Sequence, residues 1–175
     1  GILGGGGEDR ATAVKSLGAT KGEKVLKVLA DLLGRDESPV RVETADALGT
    51  FEEYAAKASA YLLAALGSNR EEKVQAAVLE AVGRLKQESS APVVNKWIDV
   101  KDNRVAKAAV EATGRIRSAT SIEPLIELLK KLEKLGKLSK SSANQAGGPS
   151  IPGSARNDSN KEARERVKTV QPAAV

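Results

Sequence analysis

Apolar residues recur at helical spacing in four segments of this chain, each of which ends at a glycine. An aliphatic residue or alanine stands four positions before every glycine, and an aliphatic residue stands one position before it except in the last segment, which has Thr113. Three of the segments add a valine nine positions before the glycine. Residues spaced in this way lie on one face of an amphipathic helix. The segments are 11–18, 40–49, 74–83 and 105–114. Their glycines are 31, 34 and 31 residues apart, which predicts an internal repeat.

A second apolar pattern follows each glycine and predicts a second helix in every repeat. Aliphatic residues, alanines and one tryptophan stand 11, 14 and 15 positions after the glycines. A single helical hairpin cannot bury its apolar face, whereas stacked hairpins share a continuous core. We therefore predict an all-α stack of about four hairpins. The residues expected in its core include Leu48, Leu63, Leu79, Val110 and Leu128.

Local signals indicate where these helices begin and end. The closing glycine of each segment suits the left-handed conformation that terminates many helices. Ser90 and Ser121 precede apolar helical segments and are interpreted as N-caps. Among the few aromatic residues, Phe51 and Trp97 stand at positions that other repeats fill with aliphatic residues, so we expect both in the core.

The segment VRVETADALG at residues 40–49 resembles the V-R-x-x-A-x-x-A-L-G core of the HEAT-repeat family. Within that family the likeness is greatest to the short repeats named after phycobilisome lyases. The resemblance covers about residues 8–138 and implies an alpha-alpha superhelix, a HEAT-like solenoid. No residue of the match carries over the tetrapyrrole chemistry of those lyases, because the matched positions serve packing and turns.

The composition excludes several classes of chemistry. Aromatic residues make up 2% of the chain, and it has no Cys, Met or His. Without thiolates and imidazoles there is no disulfide, no Cys nucleophile, and no residue for most zinc or iron sites. We therefore predict no catalytic activity, no metal site and no cofactor. The lack of Cys fits a cytoplasmic or an exported protein, and no apolar run reaches the roughly 18 residues of a membrane span.

Three hypotheses for function follow from the surface residues. The first is a protein-binding scaffold or adaptor whose second helices form the binding face, with Lys130 extending its row of residues. The second is an anion- or nucleic-acid-binding module that uses the lysines between residues 130 and 140. The alternative is that these lysines form an ordinary solvent-exposed helix face without a ligand. An enzyme is the third, although the Glu pairs at 52–53 and 71–72 are explained by helix N-termini. Candidate protein-binding residues are Lys27, Asp31, Tyr61, Asn95 and Lys96, and candidate anion-binding residues are Lys130, Lys131, Lys134, Lys137 and Lys140.

Composition also predicts the division of the chain. Residues 1–7 are rich in glycine, and residues 8–138 hold the repeats. Residues 139–160 are rich in Ser, Gly, Asn and Pro and are expected to form a flexible linker. Residues 161–175 contain a short segment with helical spacing. Because no polar-faced cap precedes the first repeat, we interpret the chain as part of a longer HEAT-repeat protein.

Overall fold

The structure is a computed structural model that describes residues 6–35 and 37–145. Within these ranges the chain forms helices joined by short turns, and it contains no strand. The predicted tail at 161–175, most of the predicted linker and the first five residues lie outside the described ranges. The helices are α1 (Gly7–Thr20), α2 (Glu23–Arg35), α3 (Ser38–Leu48), α4 (Ala55–Ser68), α5 (Glu72–Leu85), α6 (Ala91–Val94), α7 (Asn103–Ile116) and α8 (Ile122–Gln145).

The helices form four hairpins arranged in two layers. In the first layer, α1 packs against α3, α3 against α5, and α5 against α7. The second layer holds α2, α4, α6 and α8, of which α2 and α4 contact each other. The second helix of the third hairpin is short, because α6 passes directly into the 3-10 turn Asn95–Trp97. This arrangement confirms the predicted all-α stack of hairpins.

The core follows the register predicted for the first-layer helices. The residues four positions before the glycines, Val14, Ala45, Leu79 and Val110, are all buried. Phe51 is 1% exposed, while Trp97 is half-buried and packs against the core. Small aliphatic side chains at these positions let neighbouring helices approach closely, which explains why a chain almost without aromatic residues still builds a continuous core.

The predicted register of the second helix fails in the second hairpin. Leu63 is only half-buried, and the neighbouring Leu62 is fully buried instead. Helix α4 buries Leu62 and Leu66, thirteen and seventeen residues after Gly49, where α2 buries Leu29 and Leu33, eleven and fifteen residues after Gly18. A shift of two residues turns the buried face of a helix by about 200° relative to that count. The buried face of α4 therefore does not follow from its distance to Gly49.

Gly18, Gly49 and Gly83 serve helix packing, and of these only Gly49 stands at a helix end. Gly18 and Gly83 lie inside α1 and α5, and Gly49 has φ −63°, so the predicted left-handed conformation is wrong. A Cβ atom placed on Gly18 would lie 2.8 Å from the Cβ of Ala47 in α3. The corresponding atom on Gly49 would lie 2.9 Å from the Cβ of Ala81 in α5. Glycine is required there because the next first-layer helix leaves no room for a side chain.

Two further local predictions differ from the structure. Ser90 stands at the N-cap position of α6, but its side chain makes no capping bond, and Ser121 Oγ donates to Asn95 Oδ1 instead of capping α8. The Oγ of Ser118 accepts instead from the backbone N–H of Thr120. Helix α8 continues to Gln145, beyond the predicted boundary at residue 138, because no Gly or Pro interrupts the chain between Lys137 and that residue.

Candidate functional site

A shallow groove separates α2 from α4 on the second layer. Ala60 is exposed in it, the almost fully buried Leu26 lies beneath it, and Lys27 and Tyr61 border it. The structure thus brings together two of the five residues that were predicted to bind protein. The groove measures about 260 Å³, less than the roughly 300–1,000 Å³ of typical small-molecule pockets. Its size therefore suits one or two side chains of a protein partner better than an enclosed small ligand.

An ion pair between α2 and α4 closes one side of the groove. The Nζ of Lys57 donates to Glu23 Oε1 at 2.5 Å. This bond lowers the pKa of the Glu23 carboxyl and raises the pKa of the Lys57 ammonium. Both side chains remain exposed to solvent, so the pair contributes little to stability. The pair places a positive and a negative charge beside Tyr61 at the groove.

Tyr61 is the most prominent side chain of the groove. It is 36% exposed although most large apolar residues of α4 are buried. Tyrosine combines a large apolar ring with a hydroxyl group, and it is enriched among the residues that dominate protein–protein binding. Val28 of α2 is also exposed, at 42%. These side chains give the face some apolar surface between its charges.

The other candidate protein-binding residues have different environments. Asp31 is exposed and pairs with Arg35 one turn further along α2. Lys96 is exposed on the 3-10 turn that follows α6. Asn95 joins two hairpins, because its Nδ2 donates to the Thr120 carbonyl at 3.1 Å and its Oδ1 accepts from Ser121 Oγ at 2.6 Å. The amide of Asn95 is therefore engaged in holding the fourth hairpin against the third.

Acidic residues partly neutralise the five candidate anion-binding lysines of α8. Lys130 pairs with Glu127 at 3.5 Å, and Lys137 pairs with Glu133 at 3.3 Å. Lys131 reaches across to Asp99 of the third hairpin at 2.6 Å. The two remaining members, Lys134 and Lys140, are exposed. Because Lys131 points to the third hairpin and others are paired along the helix, the five lysines do not form one uniform cationic surface.

Sequence reasoning missed Glu23, Lys57, Leu26 and Ala60 as members of the groove. Their identities are ordinary for helix surfaces and helix interiors, so composition alone does not distinguish them. The pairing of Glu23 with Lys57 depends on how α2 and α4 are rotated about their axes against each other. The spacing within one helix does not give that rotation, so the sequence offers no signal for this pair.

Residues 59–135 match the sequence model of the HEAT-repeat family. The matched region runs from α4 into α8, and together with the stacked hairpins it supports a HEAT-like repeat solenoid. HEAT repeats generally mediate protein–protein interaction and are typically non-catalytic. The comparison with curated proteins gives no match. None of the helices in the described ranges has the length and apolar character that crossing a bilayer requires.

Proposed function

We propose that this chain is a non-catalytic protein-interaction scaffold that binds a segment of a partner protein along its second-layer helices. The observation that carries the proposal is the groove between α2 and α4, where Tyr61 and Lys27 border the exposed Ala60. A rigid repeat stack holds such a groove in place without the partner, which reduces the entropy lost on binding. The lack of His and Cys supports association rather than catalysis.

The chemistry of the groove describes the partner segment. Its apolar surface accepts an aliphatic or aromatic side chain, and Tyr61 adds a hydroxyl group that can bond to a backbone or polar group. Lys27 favours an acidic residue near that anchor, while Glu23 and Lys57 already neutralise each other. We therefore expect a short extended or helical segment with one apolar anchor and a nearby acidic residue.

The test uses peptides selected on the wild-type protein from a random displayed library. Tyr61→Ala combined with Lys27→Ala should weaken the selected peptides by roughly 30-fold, because interface anchors of this kind contribute about 2 kcal/mol or more. Lys24→Ala is the matched control: Lys24 is an exposed lysine of the same helix that does not line the groove. It should change the dissociation constant by less than about twofold, in line with the usual effect of rim charges.

Two further measurements complete the test. Thermal unfolding of the double variant should remain close to that of the wild type, because both side chains are exposed. Peptide binding should weaken only modestly with added salt, whereas binding through the α8 lysines should weaken steeply. If the selected peptides bind the double variant as tightly as the wild type, the binding face lies elsewhere and the proposal is wrong.

A further inference from the structure

Helix α8 carries an apolar patch at the end of the described stack. Ile122 is 55% exposed and Ile126 is 37% exposed, and the two lie one helical turn apart. Leu129, one turn further on the same side, is half-buried against the core. Single exposed apolar residues are common on protein surfaces, but Ile122, Ile126 and the accessible part of Leu129 adjoin one another along one helix. We call Ile122, Ile126 and Leu129 the α8 patch.

The register of α8 relative to the core equals that of α2. Both helices bury their fourth, seventh and eleventh residues, so both have the same rotation about their axes. Those residues are Leu26, Leu29 and Leu33 in α2, and Leu125, Leu128 and Leu132 in α8. The first and fifth residues of the two helices therefore point in equivalent directions. They are Glu23 and Lys27 in α2, and Ile122 and Ile126 in α8.

In α2 these two positions face the second helix of the next hairpin. Glu23 binds Lys57 of α4, and Lys27 borders the groove against α4. The opposite side of α8 faces the third hairpin, because Lys131 binds Asp99 there. The α8 patch is therefore directed to the position that a further second-layer element would occupy. At that position α2 is charged, whereas α8 is apolar.

We propose that residues 161–170 of the same chain bind to the α8 patch and cover the end of the stack. In this segment Ala163, Val167 and Val170 are spaced four and three residues apart, which places them on one face of a helix. The spacing of Ile122, Ile126 and Leu129 is the same. Each side therefore offers a narrow apolar row of equal length to the other. This covering role is separate from partner binding in the α2–α4 groove.

The chain is long enough for this contact. Residues 146–160 can span up to roughly 50 Å at about 3.3 Å per residue. The return from Gln145 to Ile126 along α8 covers only about 29 Å at 1.5 Å per residue. A short tether also holds the segment at a local concentration of roughly millimolar, well above that of a second molecule in dilute solution. The segment of the same chain is therefore favoured over a second copy.

The test uses disulfide formation, because the chain has no cysteine of its own. Ile126→Cys combined with Val167→Cys should form an intramolecular disulfide under mild oxidation of the dilute full-length chain. One control pairs Glu127→Cys with Val167→Cys, since Glu127 is exposed at the same height on another side of α8. A second control pairs Ile126→Cys with Glu165→Cys. The test pair should react at least about tenfold faster than either control, measured by non-reducing electrophoresis and peptide mass.

Each alternative outcome contradicts the proposal. Equal rates for the three pairs would mean that the segment has no preferred position on α8. A disulfide-linked dimer formed at a concentration-dependent rate would assign the α8 patch to a second copy of the chain. An independent measurement is the fluorescence of an apolar dye with Val167→Asp and Val170→Asp in the full-length chain. Dye fluorescence should rise at least about twofold as the patch is exposed, and an unchanged signal would refute the proposal.

Discussion

Replacing Gly18 by alanine should destabilise the stack even though alanine is the better helix former. Inside a helix, Gly→Ala normally stabilises by about 0.5–1 kcal/mol. The new Cβ atom of residue 18 would lie 2.8 Å from the Cβ of Ala47, well inside the roughly 3.5–4.0 Å of ordinary carbon contacts. Relieving this overlap requires α1 and α3 to move apart, and such overpacking costs about 1–3 kcal/mol. We expect a net loss of about 0.5–2 kcal/mol.

A double-mutant cycle isolates the steric contribution. In the Ala47→Gly background, the nearest atom of residue 47 would be its Cα, at 3.7 Å from the new Cβ atom, which is an ordinary contact. Gly18→Ala should then become stabilising by about 0.5–1 kcal/mol, as expected from helix propensity alone. Gly136→Ala in α8 is the matched control, because a Cβ atom there would have no atom within 4 Å. It should stabilise in either background.

The free energy of unfolding is measured by urea titration with circular dichroism at the helical band. The wild type, Gly18→Ala, Ala47→Gly and the double variant can be compared only if their denaturant slopes are similar. A changed slope would indicate a change in the unfolding transition itself. The reasoning is refuted if Gly18→Ala stabilises the wild type as much as Gly136→Ala does. It is also refuted if the cost of Gly18→Ala is the same with Ala47 and with glycine at position 47.

Two further predictions concern the register of α4 and a carboxyl group on the first layer. Leu62→Ala should cost about 2–5 kcal/mol as a core truncation, and Leu63→Ala at least about 1 kcal/mol less, because Leu62 is fully buried and Leu63 half-buried; equal losses in urea titrations would contradict the register. Burial raises the pKa of Asp46 above its ordinary 3.8, more than the opposing charge of Arg84 lowers it. Ionised Asp46 is therefore unfavourable in the folded state, so Asp46→Asn should raise the free energy of unfolding at pH 7. This gain should vanish as the pH falls through the raised pKa towards values below 3.8, and a gain independent of pH would contradict the assignment.

Part of the groove between α2 and α4 could be predicted from the sequence. Lys27 and Tyr61 were recognised as surface positions of second helices, and the structure places both at the groove. Their charged neighbours Glu23 and Lys57 were not predicted, because their meeting depends on how α2 and α4 are rotated against each other. The sequence predicts Asn95 on the same face as Lys27 and Tyr61, but its side-chain amide is hydrogen-bonded to Thr120 and Ser121 of the fourth hairpin.

The sequence by itself determined the helical hairpins, their number and the buried face of the first-layer helices. Apolar spacing carries this information directly, because residues three and four positions apart share one side of a helix wherever the helix lies. Only the tertiary structure decided the role of the repeated glycines, which depends on how close the next helix approaches, as at Gly18 and Ala47. It also decided which charges meet across hairpins. Both are properties of helix separation and rotation, and neither is encoded in the spacing within a single helix.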